Sequence, residues 1–95
     1  MPAVRRGTPA YERLVEEERL IVAATENIYR LMRDEGISKA ELAKRIGRSR
    51  AFVSQILTGE RNLTLRTLAD VCHALGYRLD FSTVRLKRHR LSELR

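Results

Sequence analysis

Between Ser49 and Gly59 the chain carries Arg50, Ala51, Ser54 and Gln55, with Thr58 near the end of the segment. Steps of three and four residues place Ala51, Ser54, Gln55 and Thr58 along one side of a helix, with Arg50 in its first turn. These are side chains of the types that read base edges in a major groove. Arg takes guanine O6 and N7 bidentately, Gln takes adenine N6 and N7, and an Ala methyl meets the thymine methyl. Lys39, Arg48, Arg61 and Asn62 flank this segment, and Ser38 and Ser49 stand at helix starts, positions where phosphates would run. With Thr58 at the far end they form the expected set of phosphate contacts. Lys44 and Arg45 fit a solvated helix face better, and Phe52 fits the edge of a core better than a groove contact.

Other chemistry lacks its parts. His73 and His89 have no partner at metal-ligand spacing, and a single cysteine, Cys72, rules out an internal disulfide or a thiolate zinc cluster. Cys72 falls in an apolar stripe and is expected to be a buried structural thiol. Glu16-Glu17-Glu18 is a solvated run rather than an acid–base pair, and no glycine-rich phosphate loop follows a strand. Neither an enzyme nor a metal or cofactor site is expected.

Charge is segregated along the chain. The net charge is +7, but residues 11–36 are acidic on balance, residues 63–76 are neutral, and apart from Arg5 and Arg6 the positive charge lies in residues 37–62 and 77–95. Such blocks are the electrostatic footprint of a polyanion binder. With 95 residues, 43% of them hydrophobic and 33% charged, the composition is that of one small globular domain. No apolar run approaches the ~18 residues of a membrane span, and the N-terminus lacks the apolar stretch of a signal peptide. A cytoplasmic protein of bacterial type is expected, with no membrane partner.

The elements that position these residues are helices punctuated by glycine. Residues 11–35 contain no Gly or Pro, Thr8-Pro9 fits a cap followed by a first-turn proline, and Gly36 fits the stop. Ile21, Ala24, Ile28, Leu31 and Met32 form its stripe. Leu14 and Val15 stand apart from that stripe, so the first turns should overhang the core. Ser38-Lys39-Ala40-Glu41 is a capping box, with Ile37 and Leu42 as its hydrophobic staple. Leu42, Ala43 and Ile46 face inward and Gly47 ends that helix. A third helix, capped by Ser49, turns Val53, Ile56 and Leu57 inward and stops at Gly59. A fourth, capped by Thr64, is expected to bury Leu65, Leu68, Ala69, Cys72 and Leu75 and to stop at Gly76. After Gly76, Tyr77, Leu79 and Phe81 alternate with Arg78, Asp80 and Ser82, a strand-like period.

Ala43, Gly47, Val53 and Ile56 meet the steric needs of a helix-turn-helix: a small residue where the helices cross, a glycine at the reversal, and apolar residues closing the angle. The run ELAKRIGRSRAFVSQILTGERNLTLRTLADVCHALG resembles the Cro/repressor-type (XRE) helix-turn-helix domains, over roughly residues 22–80. The chain departs from that pattern in places. Ser38-Lys39 replaces the usual Thr-Gln, Arg48 a usual apolar residue, and Leu63 a common Pro. The first helix is also longer than usual, as in a subgroup encoded beside small toxins.

The resemblance and the residues together predict an all-α, lambda-repressor-like bundle of four to five helices with a short C-terminal β-strand. Residues 1–10 are expected to be a flexible N-terminus. Residues 11–82 make the domain: a first helix at 11–35, the helix-turn-helix at 38–58, a fourth helix at 64–75 and the strand at 77–82. Residues 83–95 make a basic tail. The expected function is sequence-specific binding of double-stranded DNA by a transcriptional regulator, a repressor acting as a homodimer on an inverted repeat. The alternative is an antitoxin that neutralises a cognate toxin protein and represses its own operon. Leu14, Val15, Tyr77, Leu79 and Phe81 are the candidate dimer or partner interface.

Overall fold

Each helix begins where a hydroxyl side chain replaces a missing backbone acceptor. The computed structural model describes residues 5–86 and contains α1 (Pro9–Glu35), α2 (Lys39–Ile46), α3 (Arg50–Thr58) and α4 (Leu65–Ala74). Thr8, Ser38, Ser49 and Thr64 are the four N-caps. All have extended backbone, and their side-chain oxygens accept from the N–H of Tyr11, Glu41, Phe52 and Thr67. Such caps satisfy donors that the first helical turn leaves unpaired, at about 1 kcal/mol each. The α1 helix therefore starts at Pro9, two residues before the expected 11, directly behind its cap. The Glu41 carboxylate does not complete the reciprocal half of the capping box with Ser38. It accepts instead from Arg45 Nε at 2.9 Å, and that bond holds the Glu41 carboxyl below the usual carboxylate range.

The core lies where α2, α3 and the C-terminal part of α1 meet the far half of α4. Ile28, Leu31, Met32, Leu42, Ala43, Val53, Ile56, Leu57, Val71, Cys72 and Leu75 are buried. Burial pushes the Cys72 thiol above its ordinary range, because an apolar surrounding disfavours the thiolate. Two inward assignments in α4 are corrected. Leu65 is 68% exposed and Ala69 is exposed, whereas Val71, not among the residues expected inward, is fully buried. The buried face runs through Leu68, Val71, Cys72 and Leu75, because α4 packs on α2 through its C-terminal half and its first turn projects past the core. In α1 the stripe closes only from Ile28 onward, with Ala24 half-buried and Ile21 exposed. Val15, Leu20 and Val22 are exposed on the overhanging turns.

The expected C-terminal strand does not form, and among the described residues there is none. Residues 77–86 are irregular. Alternation of Tyr77, Leu79 and Phe81 supplies the side-chain period of a strand, but a strand also needs a neighbour for its N–H and C=O groups, and four helices offer none. The segment is tied down differently: the Tyr77 hydroxyl donates to Glu35 Oε2 at 2.7 Å, which pushes the phenol above its ordinary range. The tail residues 87–95, with His89, and residues 1–4 lie outside the described residues.

Candidate nucleic-acid interface

Two reversals aim α3. At Gly47 the backbone is left-handed (φ 67°), a conformation that costs other L-residues roughly 1–2 kcal/mol. The Arg48 N–H then donates back to Ala43 O at 2.9 Å. Ala43, buried and without side chain beyond Cβ, lets α3 cross close over α2. Val53, Ile56 and Leu57 hold α3 to the core from its inner side, so its outer side faces away from the protein.

That outer side carries the expected readers. Arg50 and Ala51 are exposed, and Ser54 and Gln55 are half-buried. Around them, Ser38, Arg48, Ser49, Thr58, Arg61 and Asn62 are exposed and Lys39 is half-buried. No residue of the proposed set enters the core. The Ser38 and Ser49 oxygens are engaged as acceptors by the Glu41 and Phe52 N–H groups, and each hydroxyl keeps its own O–H as a donor for a phosphate. Thr58 is less suited to that task. Its hydroxyl lies 3.2 Å from both the Gln55 carbonyl and Glu60 Oε1, so its one proton is engaged within the protein.

Four further contacts tie these side chains to the fold. The Phe52 ring packs against the core, and the guanidinium carbons of Arg48 and Arg61 lie 4.6 and 5.0 Å from its centroid. Each such cation–π contact is worth about 0.5–1 kcal/mol at an exposed site. Arg61 also donates from Nε (3.0 Å) and Nη2 (2.8 Å) to Gln55 Oε1. Gly59 (φ 80°) turns the chain so that the Glu60 and Arg61 N–H groups both reach the Gln55 carbonyl. Finally, Arg45 Nη1 donates to Ala74 O at 2.9 Å while Nε holds Glu41, so Arg45 pins α2 to the end of α4. It is a structural clamp.

The candidate interface residues fall on separate surfaces. Leu14 and Val15 line a shallow apolar groove along α1 with Val22 and Ala23, edged by Glu18, Arg19 and Glu26. Phe81, 75% exposed, lies instead beside Leu20, Ile21 and Leu65 at a cleft between α1 and α4. Tyr77 and Leu79 border a third depression with Ala69 and His73. No described helix is long and apolar enough to cross a membrane.

Comparison with known proteins agrees with this geometry. The chain is 38% identical over 50 residues to an HTH-type transcriptional regulator of Sinorhizobium fredii, y4dJ, itself uncharacterized; the match covers 53% of this chain and 65% of that protein. No solved structure gives a significant match. Residues 27–80 match the Cro/C1-type HTH DNA-binding domain family, a span that contains the end of α1, the whole helix-turn-helix and α4. The chain therefore belongs to the Cro/C1-type helix-turn-helix DNA-binding family.

Proposed function

We propose that this protein is a sequence-specific transcriptional regulator that lays α3 in the major groove of double-stranded DNA and represses by occupying its site. The observation that carries this reading is the outer face of α3, where Arg50, Ala51, Ser54 and Gln55 stand clear of the core with cations at both ends. Arg50 and Gln55 read bases, while Lys39, at the start of α2, meets a phosphate. Arg50→Ala and Gln55→Ala will each cost about 1–3 kcal/mol on the cognate site and relax preference at one base position per half-site. Lys39→Ala will weaken cognate and scrambled duplexes by a similar factor. Binding of the three variants to both duplexes at fixed salt checks this, and unchanged sequence preference in the Arg50 and Gln55 variants would remove α3 as the reader.

One short recognition helix spans too few base pairs for useful specificity, so the working form is a two-fold dimer on an inverted repeat. The α1 groove supports this: Val15 and Val22 are 43% and 50% exposed, seven residues apart on one apolar stripe. Sedimentation at tens of micromolar is expected to show a dimer, and Val22→Glu a monomer with intact helical content. A wild-type monomer, both free and on DNA, contradicts the assembly. The same exposed stripe favours a second reading, in which a small toxin covers α1. A wild-type monomer that is captured with such a protein from its native host would establish that reading instead.

A further inference from the structure

We propose that Arg61 determines base specificity indirectly, by fixing the rotation of the Gln55 amide so that α3 offers the groove an NH2 donor and not an amide oxygen. This rests on α3 being the reading helix. The Gln55 Oε1 accepts two N–H groups from one guanidinium, at 3.0 and 2.8 Å. Arginine has donors only, so the opposite rotation would set the amide NH2 against two N–H groups. The orientation is therefore dictated by chemistry. With both lone pairs of the oxygen engaged, the free end of Gln55 is a pure donor.

Arg61 is itself held in place. Its backbone N–H donates to the Gln55 carbonyl at 3.3 Å, beside that of Glu60 at 3.0 Å. Its guanidinium lies over Phe52, whose ring is seated against the core. Among the described residues, no ion pair joins the adjacent Glu60 carboxylate to Arg61. Arg61 thus retains Nη1 for a phosphate while the other side of its fork restrains the reader.

The consequence is a changed base preference. Adenine presents N7 as acceptor and N6 as donor in the major groove, and Gln matches it only with its oxygen and its NH2 together. Guanine presents two acceptors, O6 and N7, which an NH2 group alone can satisfy. The restrained Gln55 therefore selects guanine over adenine, the reverse of what the residue type suggests. Releasing the restraint should restore the preference for adenine.

Selection of binding sites from a randomised duplex pool tests this with the wild type, Arg61→Ala, Arg61→Lys and Gln55→Ala. All three substitutions lie outside the core, and thermal melts confirm that each variant folds. The wild type should select guanine at one position per half-site, and Gln55→Ala should lose preference at that position alone. Arg61→Ala should shift the guanine-to-adenine ratio there by roughly 10-fold or more. Arg61→Lys should shift it less, because the ammonium also has donors only but lacks the paired N–H fork that occupies both lone pairs of the Gln55 oxygen. Two results overturn the proposal: a wild type that selects adenine at the Gln55-dependent position, or an Arg61→Ala variant weakened equally on every sequence with its preference intact. If Gln55→Ala leaves the selected sequence unchanged, as Arg50→Ala then should in the duplex comparison above, the proposal falls together with the reading of α3. That outcome differs from the first two, in which Gln55 still reads a base.

Discussion

Raising the salt from about 50 to about 200 mM will weaken binding to the cognate site by roughly four orders of magnitude. On the proposed reading, Lys39, Arg48 and Arg61 with helix-terminal N–H groups would set about four phosphates per protomer, so the proposed dimer would neutralise roughly eight, each releasing most of one condensed counterion. The slope of log K against log salt is then about −7. All three cations lie in the basic block of residues 37–62; Arg48 and Arg61 are exposed and Lys39 half-buried, and among the described residues none is tied to a carboxylate by a hydrogen bond or ion pair. Arg45, by contrast, is paired with Glu41 and Ala74, so Arg45→Ala should leave the slope unchanged while lowering thermal stability. Salt titrations on one duplex measure the slopes, and thermal melts measure the stability. A slope shallower than about −3 means that the basic middle block is not the DNA face.

Leu42→Ala will lower stability by about 2–5 kcal/mol, since it empties a fully buried site that the surrounding helices cannot refill. For a domain whose total stability is about 5–10 kcal/mol, this removes a large part of it and lowers the melting temperature by tens of degrees. Leu42 has no exposed surface and joins α2 to the shared core. Leu65→Ala will change stability by no more than about 0.5 kcal/mol, because the side chain at the first turn of α4 is already 68% exposed. Both residues look alike in an apolar pattern, so the pair separates burial from periodicity. Thermal melts of the two variants check it. Equal losses would mean that the first turn of α4 packs inward after all.

What the chain order alone determined is local. Thr8, Ser38, Ser49 and Thr64 mark all four helix starts because a cap needs only a hydroxyl and the three residues behind it. Gly36, Gly47 and Gly59 end α1, α2 and α3 because a left-handed residue is a property of one position. The crossing of α2 and α3 was legible for the same reason: Ala43, Gly47, Val53 and Ile56 lie within fourteen residues of one another. The outward face of α3 follows from its inward one.

The tertiary structure decided what depends on neighbours distant in sequence or on a change of chain direction. Which stripe of α4 is buried could not be read from its apolar residues, since Leu65 and Val71 lie on adjoining faces and only the position of α2 selects between them. The strand-like alternation at Tyr77, Leu79 and Phe81 had no second strand to meet, and the segment took a hydroxyl–carboxylate bond to Glu35 instead. The bond from Arg61 to Gln55 spans six residues, a separation at which helix periodicity brings nothing together. It exists because Gly59 reverses the chain, and it leaves the Gln55 oxygen engaged and its NH2 end free. Side-chain identity sets which hydrogen bonds are available, but the folded backbone sets which of them remain free.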